Sequence, residues 1–124
     1  MTLNWIGVVA ALTTFFGVWL GHVTVRKVEY RAPDLHVPVL IAVIIGLALE
    51  VVALASSGLY VSGACGILGM TALFDAVEFR RQFKRVKKGH APANPNNPRH
   101  APLLVDGKAT TVDVLKRKPI GQVA

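Results

Sequence analysis

Glu50 is the one carboxylate inside a long apolar run, Val37 to Ala55. It stands seven residues before Ser57, about 10 Å along a regular helix. A carboxylate at such depth is expensive in lipid and must face protein or water. It could relay protons or cations, or pair with a cation on another subunit. The local alternative is a protonated carboxyl bonded to Ser62, another hydroxyl or a backbone carbonyl. No Lys, Arg or His of this chain shares its depth. His22 and His36 flank the first connection between apolar runs. Two imidazoles on neighbouring helices are the axial ligand set of membrane haems, whereas positions at helix ends suit interfacial or capping roles. Asp75 and Glu78 stand at i and i+3, on one face of a helix. That pair could bind Arg26, Lys27 or the basic turn that follows it, or join His22 around a metal. The chain has no Gly-rich phosphate loop, no nucleophile–base spacing and no Cys-x-x-Cys. Its single cysteine, Cys65, lies in an apolar run and reads as a small buried hydrophobe. No enzyme and no cofactor are expected from these residues.

The elements that position these side chains follow from three apolar runs. Leu3 to Leu20 is interrupted only by Asn4, Thr13 and Thr14. Its eighteen residues would span about 27 Å as a helix, near the hydrocarbon thickness of a bilayer. No Lys or Arg precedes Arg26, and Trp19-Leu20-Gly21-His22 makes a poor cleavage site. An uncleaved membrane helix is therefore expected rather than a signal peptide. Trp5 and Trp19 sit near its ends, at the depth that amphipathic rings prefer. The connection Gly21–His36 prolongs the helix by a turn or two before Ala32-Pro33-Asp34 breaks it. Asp34 or His36 can cap the second helix, with Pro38 in its first turn. Ser56-Ser57-Gly58 allows only a tight antiparallel turn into the third helix.

That third element, Tyr60 to Pro95, organises the chain. It begins apolar, passes Asp75 and Glu78, and turns basic at Arg80, Arg81, Lys84, Arg85, Lys87 and Lys88 before Gly89, Pro92 and Pro95 stop it. The cations are suited to lipid headgroups or an acidic partner. Gly63, Gly66 and Gly69 repeat at i, i+3 and form a shallow stripe for a neighbouring helix; clearing room for a cofactor is their other use. Val77, Phe79, Phe83 and Val86 leave an apolar stripe among the cations, expected to lie on the membrane surface or on a partner. From residue 90 the composition changes. Pro92, Asn94, Pro95, Asn96, Asn97 and Pro98 predict an extended linker, and Asp106-Gly107 between β-prone residues predicts a short hairpin over Leu103 to Val112. Alone, residues 90–124 are expected to be disordered and to need a partner.

Charge fixes the expected orientation. The chain of 124 residues has 14 Lys and Arg against 7 Asp and Glu, yet only 17% of it is charged, below the quarter or so usual for a soluble domain. The cations follow the apolar runs instead of forming a basic domain, which excludes nucleic acid as the expected partner. None precedes the first helix, three (Arg26, Lys27, Arg31) lie in the first connection, none in the second turn and eleven after helix three. With three spans, only an N-outside, C-inside arrangement places all of them on one side.

Gly21-His22, Lys27, Glu29 and Tyr30, then Gly66, Gly69 and Glu78, and finally Arg85-Val86, Lys88-Gly89, Pro92 and Asn94-Pro95 carry a resemblance to the domain of unknown function 4491 family. The resemblance covers roughly residues 5 to 98 and departs at His90-Ala91, where aromatics are expected. It implies a small bacterial three-helix membrane protein and attaches no activity.

The expected fold is therefore an all-α membrane protein, with spans near 3–25, 37–56 and 59–79. A cytoplasmic basic helical extension completes residues 1–89, and 90–124 form an extended tail. The expected function is a non-catalytic accessory or scaffolding subunit of a larger complex in the bacterial inner membrane, an energy-converting one among the candidates, with lipids and other subunits as partners. The alternative is a small oligomeric transporter or channel working through Glu50. Reporter fusions at Ala124 and at Ser57 test the topology. A cytoplasmic reading at Ala124 and an external one at Ser57 are expected, and an externally accessible Ala124 overturns the assignment.

Overall fold

A computed structural model describes residues 1–116. It contains α1 (Ile6–Arg31), α2 (His36–Ala55), α3 (Leu59–Lys87), the short α4 (Ala101–Val105) and a single 3-10 turn, Val114–Lys116. Three of these, α1 to α3, are long and apolar enough to cross a membrane. At 1.5 Å per residue the 26 residues of α1 extend about 39 Å, more than the roughly 30 Å hydrocarbon thickness of a bilayer. The polar stretch after Gly21 thus belongs mostly to a helix, and the connection shrinks to residues 32–35. Asp34 Oδ1 accepts from the backbone N–H of His36 at 3.0 Å, which satisfies an open donor at the start of α2.

Inside the apolar runs the hydroxyls satisfy themselves. Thr13 donates to Val9 O at 2.7 Å, Thr14 to Ala10 O at 2.8 Å and Thr71 to Ile67 O at 2.7 Å, each one turn back. Ser62 reaches across the hairpin instead and donates to Ala53 O at 2.7 Å. It joins α2 to α3 and is not a partner of Glu50.

α3 packs against both α1 and α2. Glycine makes both contacts close. A Cβ on Gly46 would lie 2.9 Å from Gly69 O, and one on Gly69 would lie 3.0 Å from Gly46 O. The two backbones touch where neither residue has a side chain, the usual packing device in lipid. Across the other interface, Gly17 admits Leu68 and Thr71, and Gly21 admits the Asp75 carboxylate. Of the predicted stripe only Gly69 serves close packing within the chain. Gly66 has ordinary contact with Ala53, and a Cβ at Gly63 would meet nothing within 4 Å.

α3 ends in a Schellman motif. Gly89 (φ +80°) donates to Val86 O at 3.1 Å and His90 to Arg85 O at 2.8 Å, so the left-handed glycine reverses the chain and covers carbonyls of the last turn. The chain then folds back on the bundle. Val86, Ala91 and Ala93 form a small core against Leu103, Leu104 and Ala109, and Ala93 N–H donates to Thr110 O at 2.8 Å.

Three expectations are corrected here. The described residues contain no strand: Asp106-Gly107 does turn, with Gly107 at φ +94°, but Leu103 precedes it in a helix. Two isolated short strands would be marginal, whereas α4 lays Leu103 and Leu104 on the core. Most of the stripe on α3 does not wait for a membrane surface or a partner, since Phe79 is 4% exposed, Phe83 half-buried and Val86 fully buried, whereas Val77 stays exposed. Nor is the tail extended over residues 90–113, which form a cap on the ends of α1 and α3; the expectation for residues 117–124 lies outside the described residues.

Gly89→Ala tests the reversal. A left-handed alanine costs about 1–2 kcal/mol, and its Cβ would collide with the Lys108 carbonyl oxygen. Faster proteolysis within residues 90–113, with unchanged membrane insertion, is the expected result.

Candidate functional site

The most completely built polar site lies where the cap meets the end of α1. A helix leaves its last four carbonyls without partners, and α1 ends on Ala32-Pro33 with no glycine to reverse the chain. Side chains from the cap take that role. Asn97 Nδ2 donates to Tyr30 O and Ala32 O, both at 3.0 Å. Asn94 Nδ2 donates to Tyr30 O at 3.0 Å, and Arg99 Nε to Ala32 O at 2.9 Å. The Arg99 guanidinium also reaches Glu29 twice, at the backbone carbonyl and, from Nη1, at Oε1 3.0 Å away.

Glu29 is 1% exposed and His100 is fully buried, with His100 Nε2 only 2.7 Å from Glu29 Oε1. The backbone N–H of Asn94 donates to His100 Nδ1 at 2.9 Å. A backbone N–H only donates, so Nδ1 is the acceptor and Nε2 carries the proton that Glu29 receives. The buried charge on Glu29 is therefore balanced by Arg99, with a neutral imidazole as a further donor. Phe83 closes the site: its ring stacks on His100 at 6.2 Å, and the Arg99 guanidinium carbon lies 5.3 Å from its centroid. A proton added at Nδ1 would remove the acceptor that holds Asn94.

A second acid, Glu78, is 5% exposed and faces the basic turn. Arg81 Nη1 donates to it at 2.9 Å, and Arg85 Nη2 lies 3.6 Å away. Arg85 also donates to Gln82 Oε1 at 3.2 Å, and Arg81 stands over Phe74 at 5.4 Å. Arg80, Lys84, Lys87 and Lys88 are exposed. The predicted basic residues are thus split: two neutralise Glu78, and four face outward.

His22 and His36 are not paired. His36 is exposed and its Nδ1 lies 2.7 Å from Asp34 Oδ1. The bond from the His36 backbone, and then its ring, hold Asp34 below the usual carboxylate range. A lowered carboxylate contributes stability that is full above its ordinary pKa and is lost as pH falls through the lowered value. His22 lies instead in a groove of about 520 Å³ between α1 and α3, with Val18, Gly66, Ile67, Met70, Thr71, Phe74, Asp75 and Glu78. The groove brings His22 together with the Asp75–Glu78 pair, and among the described residues no three such groups converge closely enough to hold a metal. Glu50 faces protein. Its Oε1 would lie 2.7 Å from a Cβ on Gly69, and that oxygen is buried without a hydrogen-bond partner among the described residues.

Asn97, Arg99 and His100 are absent from the sequence-level site, as are Gly17, Gly21 and Gly46. A usable signal did exist. A long helix ending at Ala-Pro without a glycine cap leaves carbonyls in need of donors, and Asn94, Asn96, Asn97 and Arg99 form a dense run of side-chain donors.

The chain matches the family described as Domain of unknown function (DUF4491) over residues 4–97. No curated protein and no solved structure matches it.

Glu29→Gln keeps the shape of the site but leaves Arg99 without its counter-charge. Breaking a buried pair costs roughly 3–5 kcal/mol, so a lower unfolding temperature in detergent and early cleavage within 90–113 are expected. Arg99→Gln should act in the same direction, and the double variant should cost less than the sum. Additive effects would mean that the two side chains do not interact.

Proposed function

The chain belongs to the DUF4491 family, and from that premise we propose that it is a non-catalytic membrane subunit that packs against a larger assembly in the bacterial inner membrane. The groove between α1 and α3 carries the reading. It opens sideways along the spans, between the exposed Phe74 and Met70 and over the half-buried Gly66, and its inner wall holds Thr71, His22 and Asp75. Gly63, one turn along, has open space where a Cβ would be. A partner helix laid there would gain close backbone approach and find hydrogen-bonding groups at one end, the two features that favour association in lipid. The N-outside, C-inside orientation rests on the one-sided distribution of Lys and Arg. The cap supports the reading less directly than its composition suggested. Because it binds the ends of α1 and α3, it needs no partner for its order, and the case for a partner moves to the membrane-facing surface.

A second reading, an oligomeric proton or cation path, is favoured by one observation, the unpartnered Oε1 of Glu50. That oxygen is closed between α2 and α3 beside Gly69, and the groove does not reach it. Glu50 as a whole is half-buried.

Gly63→Leu fills open space on the exposed side of α3 while leaving the internal Gly46–Gly69 contact intact. Insertion and monomer fold should persist, and the large species purified in mild detergent should be lost. Unchanged co-purification overturns the subunit reading. Glu50→Gln should leave that species intact; loss of a pH-driven flux in this variant would support the second reading instead.

A further inference from the structure

A second groove, of about 610 Å³, lies past the first apolar run, where the end of α1 meets α3 and the reversal. One wall is a single face of α1, with Val23, Arg26, Lys27, Tyr30 and Arg31 at alternating steps of three and one. The facing wall carries Gln82 and Arg85 of α3, and His90, Ala91 and Pro92 of the reversal complete it. The groove therefore exists only because Gly89 turns the chain back over the bundle.

Its charge is one-sided. Arg26, Lys27 and Arg31 have no carboxylate partner among the described residues. Glu29 also borders the groove, but its carboxylate already receives Arg99 and His100. Arg85 is shared with Glu78 and Gln82. Asp113 is the remaining acid in the lining. Three uncompensated cations converge on a space bordered by Val23, Ala91, Pro92 and Leu115.

Depth identifies what such a space would meet. Val23 and Arg26 lie three and six residues past Leu20, the end of the apolar run, or about 5 and 9 Å along the helix. The polar layer of a bilayer adds roughly 5–8 Å on each side. Long side chains on a helix lean back toward its N-terminus, so Arg26 and Lys27 can reach that layer from just above it. We propose that this groove binds the phosphate of an anionic phospholipid headgroup, held by Arg26, Lys27 and Arg31 with Arg85 behind them, while Val23 and the Ala91-Pro92 wall accept the glycerol and the first part of the acyl chains. The site is separate from the partner groove between α1 and α3 and stands whether or not a partner assembly is found.

Native mass spectrometry of the full chain from nanodiscs of mixed phosphatidylglycerol and phosphatidylcholine tests it. Retention of phosphatidylglycerol over phosphatidylcholine is expected. Arg26→Gln, Lys27→Gln and Arg31→Gln together should weaken that retention about tenfold or more, since each cation near an anionic surface contributes severalfold. The comparison is Arg80→Gln, Lys84→Gln and Lys87→Gln, which removes the same charge from the outward face of α3 and should change it little. Equal losses in the two triple variants would mean diffuse attraction and overturn the site. Displacement of the lipid by millimolar inorganic phosphate would overturn it as well, by making it a site for free anions. Circular dichroism of each variant guards against unfolding, and Lys27→Glu alone should weaken retention if the fold is kept.

Discussion

The end of α1 is the point on which the ordered cap depends. A helix longer than the hydrocarbon layer of a bilayer that stops at a proline has last-turn carbonyls that no glycine reversal satisfies. Asn94, Asn97 and Arg99 meet them from about 65 residues away in sequence. The same Arg99 neutralises the buried Glu29, which in turn accepts a hydrogen bond from His100 Nε2. Every member of this network has a partner, the condition under which a buried polar cluster rigidifies a structure. Once it forms, residues 90–113 are held over α3, the Val86 core closes, and the basic groove acquires its second wall.

The architecture was legible because its signals are long and independent. Three apolar runs, two breaks rich in proline or serine and the one-sided cations each point to the same bundle. Gly89 was legible as a stop, and the Schellman geometry accounts for it. The cap was not legible, since its composition matches that of a linker and composition is blind to long-range partners. Asn97 reads as a turn residue until α1 is seen to end beside it. Phe83 and Val86 read as a surface stripe until His100 and Ala93 cover them. The Asp106-Gly107 turn was correctly placed and its flanks were not, because burial of Leu103 and Leu104 outweighs local β-propensity.

Close approach in lipid explains the remaining design. Without a hydrophobic driving force between spans, helices associate by packing and by polar contacts. Here α3 is the common partner, meeting α2 at Gly46–Gly69 and α1 at Gly17 and Gly21. Both contacts also place an acid. Glu50 lies over Gly69, and Asp75 lies over Gly21, each in space that a methyl group would occupy. A residue chosen to let backbones touch thus also admits a carboxylate between helices, at little steric cost.

That placement has different consequences for the two acids. Asp75 borders a groove together with His22 and Thr71, within reach of any helix that settles there. Glu50 is half-buried, and its buried Oε1 has no donor among the described residues, which gives it an incentive to find one. The Ser62–Ala53 bond at 2.7 Å and the Gly46–Gly69 contact hold α2 and α3 together on either side of that oxygen. Association along the α1 side of α3 leaves these restraints intact. The packing that brings α2 and α3 together is therefore the same packing that keeps Glu50 Oε1 without a donor among the described residues.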